Sequence, residues 1–278
     1  MVKTYEIESF DNIVEIGSTM GKNWFRGHSK IYNQLTPGIY RSQYNSPMHV
    51  MFKPQQEAQI VYQFKRYAPT IIKEVPGEFD FLTWLFWIQH YGMPTRLLDW
   101  TENIFVATFF CVVNNQNENG EIWTIYPDKL NSQSDIFGLA FTNHGIVKYL
   151  SGEPFHNNPE QFLNDLELKE TPKKPVALIP PKIFPRLSAQ HGTFTIHPKP
   201  ENGAQQIEDI IDDEKDMTRY IIPKQLKSDF EKKLSYLGFN YRTLFPDFEG
   251  LSKSFAREDR YFGWGQPNPP KFKLYEKE

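Results

Sequence analysis

The segment from Phe81 to Val113 constrains what this chain can fold into more than any other. Phe81, Leu82, Leu85, Phe86 and Ile88 leave a helix over 78–90 almost no polar face, so it must be buried on most sides. Gly92-Met93-Pro94 stops it, because proline cannot continue a helix and glycine is a usual C-terminal cap. Arg96-Leu97-Leu98-Asp99-Trp100 is then short and extended. Thr101 or Asp99 caps a second apolar helix over 103–113, with Glu102 favourable in its first turn. His90, Arg96, Asp99 and Thr101 therefore sit in an apolar frame, where polar groups cost free energy unless paired. Such a turn is either a polar core or a site.

The remaining elements follow from local pattern. A strand-and-turn opening and a short helix fill 1–20, and Lys22–Gly27 reads as a strand closed by glycine. The segment 32–46 is irregular, with a turn at Thr36-Pro37-Gly38. Ile60, Phe64 and Tyr67 carry an amphipathic helix over 54–73. Strands are expected over 121–126, 176–180, 192–196 and 220–223, a helix over 224–238, and an insertion of helices and loops over 130–174. Together these give an α+β class, with helices surrounding short-stranded mixed or antiparallel sheets. One domain over 1–278 is expected, with its core at about 20–250 and an irregular C-terminal arm at about 257–278.

A net charge of −3 gives no global pull toward nucleic acid or an anionic membrane. The 23 Phe, 14 Tyr and 6 Trp are far more than a disordered chain carries. The single cysteine, Cys111, lies in an apolar run and is expected to be a core thiol, which excludes an intrachain disulfide. No signal-peptide pattern or bilayer-length apolar run is present, so a cytoplasmic location is the expectation. Walker-type loops, Gly-x-Ser-x-Gly elbows and Gly-x-Gly-x-x-Gly fingerprints are absent, which argues against common NTPases, hydrolases and Rossmann dehydrogenases.

Five ordered segments resemble the FRG-domain family. They are Phe25-Arg26-Gly27, Leu35 to Arg41, His90 to Thr101, Arg186 to Phe194, and Leu244 to Leu251. A second resemblance is to ADP-ribosyltransferase-type domains. It rests on Phe25-Arg26-Gly27, on Trp100-Thr101 leading into the helix with Ala107, and on Gly120-Glu121-Ile122-Trp123. That resemblance implies two small sheets bent around a cleft for NAD, the expected co-substrate, with an acid near a late strand. The corresponding position here is Gln190, which cannot carry charge, so Glu102, Asp99 or His191 would have to supply it.

On this reading Arg26 holds the pyrophosphate or ribose, or else pairs internally with Asp99. Gly27 lets a ligand approach or makes a turn, and His28 bonds a ribose hydroxyl or caps the surface. Tyr91 and Trp100 stack on a nicotinamide or fill the core. Thr101 and Gln190 orient the reacting ribose, supported by His90, Arg96, Asp99 and His191. Asp99 orients His90 or pairs with Arg96. The implied activity is transfer of ADP-ribose or hydrolysis of NAD by a toxin or antiviral-defence effector, with no metal expected. A non-catalytic ligand- or partner-sensing domain is the alternative. A metal-dependent nuclease using His28, His90 and Asp99 is a third reading.

Overall fold

The computed structural model describes residues 2–41, 56–152, 155–200, 203–211 and 213–257. Part of the irregular segment, the first residues of the 54–73 helix and nearly all of the expected C-terminal arm lie outside these. From the N-terminus, β1 (Thr4–Glu6) and α1 (Phe10–Thr19) lead into β2 (Trp24–His28). Then come α2 (Glu57–Tyr67), α3 (Phe81–His90), β3 (Leu97–Thr101), α4 (Ile104–Val112) and β4 (Gly120–Ile125). The expected insertion holds α5 (Pro127–Ser132), β5 (Ala140–Phe141), α6 (Gly145–Gly152) and α7 (Pro159–Asp165). β6 (Val176–Ile179), α8 (Pro185–Ala189), β7 (Gly192–Ile196), α9 (Ile207–Ile210) and β8 (Met217–Ile222) follow. The described chain closes with α10 (Lys224–Tyr236), α11 (Tyr241–Leu244) and α12 (Phe248–Arg257).

The strands form one mixed sheet in the order β1-β8-β4-β2-β3-β7-β6-β5, so the α+β class holds. Pairing is parallel at the two outer pairs, β1–β8 and β5–β6, and antiparallel between them. Three apolar clusters hold the layers. One joins α1, α4 and α10 to Phe25, Ile122 and Ile222. A second joins α3 and α6 to Leu97, Phe194 and Ile196. The third gathers Trp24, Leu98, Trp100 and Trp123.

Cys111 is fully buried, as expected, and burial pushes its thiol up from the ordinary range. The cap of α4 differs from expectation. Asn103 accepts the Phe105 N–H at 2.9 Å, because β3 runs through Thr101 and the helix begins only afterwards. The two-residue β5 was not expected, being too short to show alternation. No described helix is long and apolar enough to cross a membrane.

Candidate functional site

The sheet is nearly divided at its centre. β2 pairs with β4 over five positions and β3 with β7 over five, but β2 meets β3 only at Phe25 opposite Thr101. The Asp99 carbonyl, two residues along β3, accepts the Arg26 Nη1 at 2.6 Å in place of a strand partner. Phe25 and Gly27 face α4 across the join. A Cβ on Gly27 would fall 1.8 Å from the Ala107 carbonyl oxygen, so the glycine exists to seat that helix. Gly27 thus seats the helix and also borders the larger cavity described below.

Arg26 ends a buried relay. The Glu121 carboxylate lies 2.8 Å from His28 Nδ1 and accepts the Tyr32 N–H at 3.0 Å, while Arg26 Nε donates to His28 Nε2 at 2.8 Å. Both ring nitrogens are thus engaged, with the proton on Nδ1. Burial lowers His28 to about 4, with the Arg26 charge adding to the fall, so the ring is neutral at pH 7. Burial works to raise the Glu121 carboxyl, but the His28 and Tyr32 bonds outweigh it and hold it below its usual value. Burial lowers Arg26 to about 10, against the pull of Asp99, and leaves it charged.

A cavity of about 330 Å³ opens at the join, between α3 and α4. Six phenylalanines, among them Phe86, Phe184 and Phe194, make its walls, and Arg26, Gln89, Asp99, Arg186 and Gln190 bring polar groups to it. Among the described residues lining it, Asp99 is the one carboxylate. Gln89 holds that carboxylate through Nε2 at 2.9 Å and is itself fixed by the Thr95 hydroxyl at 2.7 Å. Arg26 Nη1 lies 3.6 Å from the same carboxylate. A smaller cavity of about 210 Å³ adjoins, sharing Arg26, Gln89 and Asp99 and adding Arg41.

The expected residues separate into two groups. Arg26, Gly27, His90, Asp99, Trp100, Thr101 and Gln190, from three distant segments, come together around the larger cavity. Neither cavity is lined by His28, Tyr91, Arg96 or His191. Trp100 borders the larger cavity but is only 3% exposed, its indole joining the third cluster and donating to the Thr195 hydroxyl at 3.1 Å. Arg96 pairs with Glu57, not Asp99, in a fully buried bridge of 2.6 Å, and also donates to the Leu150 carbonyl.

His90 stacks on Phe184 at 4.0 Å rather than meeting Asp99, and burial beside Arg186 lowers it. Thr101 donates to the Gln190 carbonyl at 2.7 Å, and Gln190 Nε2 donates to the Leu244 carbonyl at 3.0 Å. Those bonds tie α8 and α11 to the strand. Tyr91 and His191 are exposed. Of the three groups expected to stand in for an acid at Gln190, Asp99 alone lines the cavity.

Sequence reading missed Gln89, Glu57, Glu121, Arg41, Arg186 and His197. Gln89 was recoverable, being one residue before His90 and one helical turn before the break. No described grouping of three or more His, Cys, Asp or Glu residues is placed to hold a metal ion. Comparison with curated proteins gives no match, and comparison with solved structures gives none. The FRG domain family model matches residues 21–120, a span that contains β2, the Leu35–Arg41 segment and the whole apolar-polar-apolar stretch from α3 to α4. What the comparison shows is an FRG domain over residues 21–120 of the chain.

Proposed function

We propose that the cavity at the sheet join binds a dinucleotide of the NAD type, and that the chain transfers ADP-ribose from it or hydrolyses it. The observation that carries this reading is the meeting of Arg26, Asp99 and Gln190 at one aromatic-walled cavity. Its volume falls in the range of small-molecule sites, roughly 300–1,000 Å³. A nearly divided sheet with the cavity at its division supports the resemblance to ADP-ribosyltransferase-type domains.

In this reaction the bond from ribose C1′ to the nicotinamide nitrogen breaks, and its electron pair leaves with nicotinamide. Positive charge develops on C1′ and the ring oxygen. Asp99 is the carboxylate that would face that charge, held in place by Gln89 and Arg26. Water or an acceptor hydroxyl adds to C1′ and releases its proton. The aromatic walls suit the nicotinamide ring, and Arg26 suits the pyrophosphate. Gln190 has its amide nitrogen committed to Leu244, so its role is to hold the cavity wall.

Purified protein incubated with NAD should release nicotinamide, and Asp99→Asn should lower that rate about 100-fold or more. Wild type releasing no more than a folded Asp99→Asn protein contradicts the catalytic reading. A second reading, a non-catalytic sensing domain, is favoured by the internal bonds of Arg26 to His28 and Asp99. It expects Arg26→Ala to lower the melting temperature by several degrees, with no nucleotide raising it and no nicotinamide released.

A further inference from the structure

We propose that the smaller cavity beside Arg26 is an anion subsite, in which a pyrophosphate or phosphate group is held between the guanidinium groups of Arg26 and Arg41. The proposal rests on the nucleotide reading above for what the rest of the ligand is. Four observations support it.

The two cavities share Arg26, Gln89 and Asp99, so they adjoin at the Arg26 side chain. Their linings differ: the larger carries six phenylalanines and the smaller none, and the second guanidinium of the larger, Arg186, is paired with Asp247 at 2.7 Å, whereas Arg41 faces the smaller. A molecule with an aromatic head and an anionic centre matches that division. Arg26 has its Nε and Nη1 committed to His28 and the Asp99 carbonyl, and among the described residues its Nη2 has no hydrogen-bond partner. Arg41 is positioned by its Nε, which donates to the Thr36 carbonyl at 2.8 Å and fixes the direction of its fork.

Arg26 and Arg41 are close enough that, after burial itself, the Arg41 charge is among the influences lowering Arg26. Two like charges facing one small cavity repel, and an anion between them removes that repulsion. Asp99 works the other way, since its carboxylate lines the same cavity. The balance is one net positive charge, so the subsite is tuned by Asp99 and not only by the arginines. A guanidinium fork fits phosphate oxygens two at a time, which lysine cannot reproduce.

The probes are inorganic pyrophosphate, ADP-ribose and nicotinamide, titrated calorimetrically into the full chain at low and moderate salt. Pyrophosphate and ADP-ribose are expected to compete with each other, while nicotinamide binds together with pyrophosphate. Arg41→Gln should weaken pyrophosphate and ADP-ribose at least about tenfold and leave nicotinamide unchanged. Asp99→Asn should tighten pyrophosphate. Competition in the wild type needs no variant, so the test survives if Arg41→Gln fails to fold.

If ADP-ribose binds but neither competes with pyrophosphate nor responds to Arg41→Gln, the subsite is overturned and the nucleotide reading stands. If pyrophosphate binds through Arg41 and no nucleotide binds, the subsite stands and the nucleotide reading falls. Binding of none of the three overturns both.

Discussion

Replacing Gly27 by alanine tests why the glycine stands in the Phe25-Arg26-Gly27 motif. The new Cβ would lie 1.8 Å from the Ala107 oxygen, 2.8 Å from its carbonyl carbon and 3.0 Å from the Cys111 nitrogen. All three are backbone atoms inside α4, so no side chain can swing away. Restoring ordinary contact requires the helix to retreat by about 1.5 Å. That retreat opens a gap along the cluster that joins α4 to α1 and α10. Overpacking in a well-filled core costs about 1–3 kcal/mol, and the absence of any flexible neighbour puts this case at about 3.

At about 2–4 °C per kcal/mol for a chain of this size, the melting temperature should fall about 6–12 °C. Gly77→Ala is the control, because its nearest heavy atom is Asp80 Cβ at 4.0 Å and its φ is not in the left-handed region. That substitution should be neutral or raise the melting temperature by a degree or two. Thermal melts followed by circular dichroism give both values. If the two variants melt within about 2 °C of each other, the reasoning about helix approach is wrong.

Three further outcomes are expected. Arg96→Ala leaves Glu57 buried without its partner and should cost about 3–5 kcal/mol. By contrast Asp99→Asn, at a carboxylate 56% exposed, should cost less than about 1 kcal/mol; equal losses in denaturant titrations would contradict the separation of core from cavity. His28 and His197 lie at about 4 and 3 in the folded chain against 6.5 when unfolded, both through burial. Their folded pKa values are depressed, so the unfolded chain binds more protons below pH 6.5. Stability should therefore fall as pH drops from 6.5 to 4, by about 3 kcal/mol for His28; a melting temperature flat over that window would refute this. Finally, Cys111 should resist alkylation in the native protein and react only on unfolding, read by mass spectrometry.

The secondary elements were largely legible because this chain writes them locally. The apolar runs of α3 and α4, the Gly92-Met93-Pro94 break and the strands at 120–125 and 192–196 all carry strong periodic or breaker signals. The polar pairings were not legible, because they are distant in sequence. Glu121 reads as the end of a strand, and its partner His28 is 93 residues away; Glu57 reads as a helix surface residue, yet it meets Arg96 39 residues on. Trp100 is instructive in another way. Successive strand residues face opposite sides, so the indole of Trp100 is expected on the face opposite the Asp99 carboxylate, where it joins the third cluster although the residue still borders the cavity.

The most direct test of the central claim is a crystal structure of the protein with an uncleavable carbocyclic NAD analogue. The expected result is a nicotinamide ring between the phenylalanine walls of the larger cavity, ribose beside Asp99, and pyrophosphate at Arg26 and Arg41. Density for the analogue away from the join between β2 and β3, or none at saturating concentration, would contradict it.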